Sequence, residues 1–335
     1  MCALFGWLDC KHIISHKVLK KLTQALANAA EERGTDAAGI SYVKNCHVTI
    51  YKRPRPAHKI KFNIPENTAA VMGHTRLATQ GDKEDNYNNH PFAGKSDRSF
   101  AFAHNGVLYN DTALRKSHNL PKTNIETDSY VAVQLIEKQE KLDFDSLRNM
   151  AEDVMGNFVF TILDENNTLY FVKGNNPLYL IYLERLGLYV YSSTKSIMDK
   201  ALKAVGLHCE NRTVIQTCEG DIISINSGGE IDSSRFTPED YSFLHTSRSR
   251  YNIPQYADWY DWEDDDEYCE YTDEEELLID ICNCFGVDED DVLLLLDYGY
   301  TAVEIEEMFM DTDLLLSAIQ EIKCSSFYDG FLSEV

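Results

Sequence analysis

Two hydrophobic periods alternate along the first 245 residues. Val18, Leu19, Leu22, Ala25, Leu26 and Ala29 recur at helical spacing and form one apolar stripe, so the pattern predicts a helix over 15–32, ended by Arg33-Gly34. Short apolar or alternating runs bounded by turn residues then predict strands over 39–43, 48–52, 69–74 and 99–104. Two more helical stretches cover 129–138 and 144–154, the second opening on Asp145 as its cap. A series of strands closes the region, over 158–164, 169–174, 178–184, 188–193 and 221–225, with Asn-Asn or Gly turns between them. Many mostly antiparallel strands with two groups of helices predict stacked sheets covered by helices. Ser227-Gly228-Gly229-Glu230 falls between two such runs and reads as a β-turn rather than a nucleotide-binding loop.

The pattern changes after residue 245. A stretch rich in aromatic and acidic residues, beginning Tyr256-Ala257-Asp258-Trp259-Tyr260, has too little aliphatic content to bury itself, so 246–272 reads as a linker or docking segment. From 273 to 325 a small helical module is expected. Leu277, Leu278, Ile281 and Phe285 share one face of its first helix, Asp288 opens a second that ends at Gly299, Thr301-Ala302-Val303-Glu304 is a capping-box start for a third, and 311–322 forms a fourth. Short acidic helices with apolar faces are similar to ubiquitin-associated adaptor folds, and equally to a plain helical appendage.

Charge sharpens this boundary. The chain has 335 residues and a formal net charge of −24. Residues 251–335 hold 26 acids against the single base Lys323, whereas residues 1–250 are nearly balanced, with 30 bases and 29 acids. An anionic segment repels nucleic acid and anionic membrane, so neither is an expected partner. No apolar run approaches the ~20 residues of a membrane span, and the N-terminus lacks a signal-peptide pattern. Nine cysteines at irregular spacings, without such a signal, read as reduced thiols, and the expected location is cytoplasmic. Cys282-Asn283-Cys284 lacks two further ligands for zinc, and the acidic runs lack the glycine of a calcium loop, so no metal is expected. No cofactor is expected either.

The chemistry starts at Cys2. Removal of Met1 would leave it N-terminal, with the thiol as nucleophile and the free α-amine, of pKa about 8, as its base. Downstream come Arg33-Gly34-Thr35-Asp36-Ala37-Ala38-Gly39, Gly73-His74-Thr75-Arg76-Leu77-Ala78-Thr79-Gln80-Gly81, Asn89-His90-Pro91-Phe92, His104-Asn105-Gly106 and Glu126-Thr127-Asp128-Ser129. Over roughly residues 2–240, this ordered set resembles the glutaminase domain of class II glutamine amidotransferases, the N-terminal nucleophile type of glucosamine-6-phosphate synthase and amidophosphoribosyltransferase. The resemblance implies an α+β fold, a four-layer αββα sandwich with the cysteine at the end of a central strand, over a domain spanning 2–245. It implies glutamine as substrate, hydrolysed through a Cys2 thioester to glutamate and ammonia.

Hydrolysing the glutamine side-chain amide needs a nucleophile, donors for the oxyanion, and a grip on both ends of the amino acid. Cys2 supplies the first. The Asn105 side-chain amide and the Gly106 N–H are the oxyanion donors, at a point where the apolar strand breaks and an Asn-Gly hairpin turn is the plainer reading. Arg76 has the fork to hold the α-carboxylate two-point, Thr79 with Gly81 shapes the loop after it, and Asp128 offers the charge for the α-ammonium or caps the following helix. Arg33 and Asp36 read as bracing residues. Three departures from the family pattern stand out: Leu77-Ala78-Thr79-Gln80 lacks a tryptophan and a histidine, Tyr130 replaces a glutamate, and Ala3 replaces a glycine. No acceptor domain is legible after 245, so the resemblance implies ammonia delivery to an acceptor enzyme on a partner protein, reached through the acidic C-terminal region. A related hydrolase acting on another γ-glutamyl or acyl amide is the alternative, and a non-catalytic scaffold retaining Met1 is a third.

Overall fold

The computed structural model describes residues 2–207 and 212–238, together with scattered positions between 291 and 319. Chain contacts divide it into two compact units, Met1–His245 and Thr246–Val335. The 246–272 segment, the first helix expected after it and Cys282-Asn283-Cys284 lie outside the described residues.

The first unit opens with β1 (Ala3–Asp9), α1 (His16–Ala29), β2 (Ala37–Lys44), β3 (His47–Arg53) and β4 (Ala70–Arg76). β5 (Phe92–Lys95) and β6 (Ser99–Leu108) lead into α2 (Asp111–Ser117), α3 (Tyr130–Lys138) and α4 (Phe144–Asp153). Then come β7 (Gly156–Asp164), β8 (Leu169–Lys173), β9 (Tyr179–Leu183), β10 (Leu188–Ser192), α5 (Lys195–Val205), β11 (Thr213–Val214), β12 (Asp221–Ile225) and β13 (Ile231–Arg235). One sheet runs β11-β9-β10-β1-β4-β2-β3 and the other β13-β12-β8-β7-β6-β5. Neighbouring strands are antiparallel throughout.

The period of two explains the layering. On β1, Ala3, Phe5 and Trp7 point to one side and pack with Leu22 and Leu26 of α1 and with Ile197, Met198 and Ala201 of α5. Leu4 and Leu8 point to the other, where Ala101 and Ala103 of β6, Val159 of β7 and Phe171 of β8 meet them. β6 repeats the device in mirror image: Phe100 and Phe102 face Val131 and Leu135 of α3 and Leu147 and Met150 of α4. Two stacked sheets with a shared core between them and helices over their outer faces make a four-layer αββα sandwich, an α+β fold. Trp7 also satisfies its polar atom, donating from Nε1 to Thr23 Oγ1 at 2.9 Å, which donates in turn to the Leu19 carbonyl.

Three expectations need correction. The α4 cap is Asp143, not Asp145: Asp143 accepts from the Ser146 N–H, while the Ser146 side chain answers the Asp143 N–H, a full capping box. Asp145 is a first-turn residue paired with Arg148 at 2.7 Å. The break expected at 104–106 is absent, because β6 runs through His104, Asn105 and Gly106 to Leu108, paired with β7 throughout. Finally, α2, α5, β5 and β11 were not foreseen. The 226–230 turn does join β12 to β13, with the Asn226 side chain accepting from the Gly228 and Glu230 N–H groups.

In the second unit the described residues are helical where the second, third and fourth helices were expected, and Val292, Leu295, Ile305, Leu315, Ala318 and Ile319 share one buried cluster. Among the described residues no helix is long and apolar enough to cross a membrane. Trp7→Ala should lower the stability of the first unit by about 3–5 kcal/mol, since it opens a cavity beside α1 and removes the hydrogen bond donated to Thr23 Oγ1. A urea midpoint within error of wild type would refute the assigned packing.

Candidate active site

Cys2 sits immediately before β1, in the middle of the seven-stranded sheet. Pairing of Ala3 with Thr75 and Leu4 with His74 carries β4 past it, so Arg76 emerges beside the thiol. Cys2 Sγ donates to the Leu77 carbonyl at 3.5 Å, and Arg33 Nε donates to the Cys2 carbonyl at 3.0 Å. Burial pushes the thiol pKa up, against the opposing effects of the Leu77 hydrogen bond and nearby Arg76, so the thiol needs a base before it can attack.

A pocket enclosing about 250 Å³, part of it open to solvent, is lined by Cys2, Arg76, Thr79, Gly106 and Asp128. These are five of the six residues singled out from the sequence. Asn105, the sixth, is buried and does not line it: its Nδ2 lies 3.4 Å from Ser193 Oγ, the same oxygen that accepts from the Leu4 N–H at 2.8 Å. Ser193 thereby links the strand that follows Cys2 to Asn105. Gly106 has φ 142°, and a Cβ there would fall 1.8 Å from the Asn157 carbonyl oxygen. Only glycine lets β6 pass β7 this closely at the pocket wall.

Arg76 is almost wholly buried, and its guanidinium is already committed. Nη1 donates to Asn89 Oδ1 at 2.7 Å, and Nη2 donates to the carbonyls of both Gln80 and Gly81. Both two-point faces of a guanidinium use Nη2, so the expected two-point grip on a carboxylate is not open; Nε–H and one Nη1–H remain. Arg76 instead folds the 77–81 loop over the pocket. Asp36 anchors that loop from outside, accepting from the Ala78 N–H at 2.9 Å and from Lys83 Nζ at 2.8 Å. Burial works against ionisation of Asp36, but the Ala78 N–H and the Lys83 ammonium outweigh it and hold the carboxyl below its usual range. Arg33 and Asp36 therefore brace the site, as their positions suggested.

Asp128 does not cap α3 with its side chain. Oδ2 accepts from the Leu108 N–H at 2.6 Å and Oδ1 from Ser129 Oγ at 3.2 Å, fixing the carboxylate against the end of β6. Since the Ser129 hydroxyl gives its one hydrogen to Asp128, it accepts from His104 Nδ1, 2.8 Å away. Burial lowers the His104 pKa against the pull of Asp128. His104 and Ser129 both line the pocket, as does His90. The sequence motifs contain all three, yet no role follows from them, because only strand pairing brings them to Cys2. Among the described residues no group of His, Cys, Asp or Glu is placed to hold a metal.

This architecture has known counterparts. Residues 74–199 match the glutamine amidotransferase domain family, a span that takes in Arg76, Thr79, Asn105, Gly106 and Asp128 and begins after Cys2. Residues 74–199 are therefore a glutamine amidotransferase domain. The chain is 32% identical over 250 residues to the isomerizing glutamine–fructose-6-phosphate aminotransferase of Bacillus cereus, covering 71% of this chain and 40% of that enzyme. It is 27% identical over 212 residues to 7-cyano-7-deazaguanine synthase 2 of Sulfurisphaera tokodaii, covering 59% of this chain and 44% of the relative. The chain thus spans less than half the length of these curated relatives. In fold it matches the glutamine phosphoribosylpyrophosphate amidotransferase of B. subtilis, with a TM-score of 0.54 at 22% identity over 71% of this chain and 50% of that one. A second solved structure, an allosteric regulatory enzyme of purine biosynthesis, gives 0.57 at 24% identity over the same shares.

Two outcomes test this geometry. Gly106→Ala should destabilise the fold by more than about 1 kcal/mol, because alanine fits neither the backbone angle nor the space; a wild-type urea midpoint would contradict the close β6–β7 approach. Asp36→Asn should cost about 1 kcal/mol at neutral pH by weakening the loop anchor. Because the folded-state pKa of Asp36 lies below its unfolded value, the carboxylate's contribution is present above pH ~4 and lost as pH falls through the folded value. The difference between Asp36→Asn and wild type should therefore shrink in acid. A difference that does not change with pH would sink the charge argument.

Proposed function

We propose that this protein hydrolyses the side-chain amide of glutamine with Cys2, made N-terminal by loss of Met1. The observation that carries the reading is the single pocket in which Cys2 at the end of the central strand meets Arg76, Thr79, Gly106 and Asp128. The α-amine takes the thiol proton, sulfur adds to the amide carbon, and the C–N bond breaks as the amine protonates the departing ammonia. Water, activated by the same amine, then adds to the thioester; the C–S bond breaks, glutamate leaves and the thiol regains its proton.

The remaining roles follow from position. The Gly106 N–H at the pocket wall donates to the developing oxyanion, and the Asn105 amide, directed at Ser193 without substrate, turns an N–H into the pocket to join it. Arg76 attracts the α-carboxylate through its remaining N–H groups, Thr79 borders it on the covering loop, and Asp128 receives the α-ammonium on the lone pairs not taken by Leu108 and Ser129. The protein works as a cytoplasmic glutaminase subunit, and the released ammonia goes to an acceptor enzyme on a partner protein. The 26 acidic residues of 251–335 support a basic docking face on that partner.

The test is glutamate release from glutamine by the Met1-free chain. Cys2→Ala should abolish it while leaving the unfolding transition in place, and Asn105→Ala should lower kcat by ~100-fold. Absence of glutamate from the mature wild-type protein, alone and with candidate acceptor enzymes added, would defeat the reading.

A further inference from the structure

Two residues that line the pocket carry buried polar atoms with no partner inside the protein, Thr127 through its hydroxyl and His90 through both ring nitrogens. His90 is 4% exposed and borders the pocket, yet neither Nδ1 nor Nε2 has a hydrogen-bond partner. A neutral imidazole always carries one N–H, and burying a donor without a partner costs stability, so such a group calls for an acceptor supplied from outside. Burial, with the charges of Arg76 and Lys52 nearby, keeps His90 well below its ordinary pKa, which makes it a neutral donor and not a cation.

The ring is held firmly. It lies 4.3 Å from the His74 ring on one contact and 4.3 Å from Phe92 on the other. The preceding residue, Asn89, is fixed by its side chain to Arg76 and to the Lys83 carbonyl, and its own carbonyl accepts from Lys52 Nζ. Arg76 and His90 are therefore positioned by one short segment. Besides burial, the neighbouring His74 and His104 and the cations Arg76 and Lys52 act on His90. Through Asn89, His90 is tied to the Arg76 side of the pocket.

Arg76 cannot complete an anion site there by itself, since Nη2 is engaged by the loop carbonyls. We infer that His90 is a substrate-binding residue whose ring N–H donates to the α-carboxylate of glutamine, supplying beside Arg76 the second donor that the occupied guanidinium fork cannot. Selection for a free α-carboxylate then depends on His90 as much as on Arg76. This inference rests on the glutaminase reading.

The test compares the Met1-free wild type with His90→Phe, which keeps a flat ring against His74 and Phe92 and removes the N–H. Two quantities are read in each protein: KM for glutamine, and the inhibition constant of 4-aminobutanamide, the glutamine skeleton without its carboxylate. The expected result is a glutamine KM raised about tenfold with kcat within about threefold of wild type, and an inhibition constant for 4-aminobutanamide changed less than twofold. His90→Gln, which retains an N–H donor, should recover most of the glutamine KM. Equal weakening of both ligands would assign His90 a packing role and overturn the inference, and so would an unchanged glutamine KM. If His90→Phe does not fold, His90→Leu is compared in the same way. Failure of wild type to release glutamate from glutamine would refute the glutaminase reading instead, a result separate from any of these.

Discussion

The placement of β1 at the middle of the larger sheet is the constraint on which the site depends. Hydrogen-bonded on one edge to β10 and on the other to β4, the strand has no freedom to slide. Its two faces also serve different layers: Phe5 and Trp7 are committed to the helices and Leu4 and Leu8 to the second sheet. A one-residue slip would exchange these sets, forcing Trp7 into the space built for leucine and alanine. The register that buries this core is the same one that sets Arg76 next to Cys2. The position of Cys2 is thus a consequence of packing several residues away.

Charge at the site is handled by prior engagement. Arg76 and Asp128 are both buried, and each is tied by backbone groups, Arg76 to the Gln80 and Gly81 carbonyls and Asp128 to the Leu108 N–H. Fixed dipoles replace the lost water, so neither charge has to reorganise when a ligand arrives. The arrangement has a cost in donor count. A guanidinium used to fold a loop has fewer N–H groups for anything else, and this is where the unpartnered His90 acquires its significance.

Much of this was legible in the sequence, and the exceptions have physical reasons. The stripe of α1 followed from periodicity, because one face of the helix is buried and the other is not, and β12 followed from its short apolar run, which is buried on both faces. The motif residues around Arg76 and Asp128 pointed to the pocket through resemblance. Asn105-Gly106 misled, since Asn-Gly is the strongest short signal for a turn, and here Gly106 instead carries a strand through a close crossing with Asn157 at positive φ. Asp145 was read as the cap of α4 from sequence, and only the reciprocal bonds with Ser146 identify Asp143 instead. Ile197, Met198, Ala201 and Leu202 do lie at helical spacing behind the Thr194 cap of α5, but the run is short beside the strands that precede it. The histidines could not be ranked from sequence at all. His74, His90 and His104 sit on three different segments, and only folding shows that the first two pack in a tilted ring contact while the third is satisfied by Ser129.

On the proposed reading, these buried charges also explain why a free amino acid would be the ligand. A pocket with a cationic end at Arg76 and an anionic end at Asp128 is complementary to a zwitterion, and mismatched to a peptide-linked glutamine whose ends are neutral amides. Binding the latter would leave a buried arginine and a buried aspartate without their counter-charges, a penalty larger than the gain from most added contacts. Discrimination would then rest on what the wrong ligand fails to neutralise. Because the charges are fixed by the loop after β4 and the end of β6, the same strands that support the nucleophile would also set that selectivity.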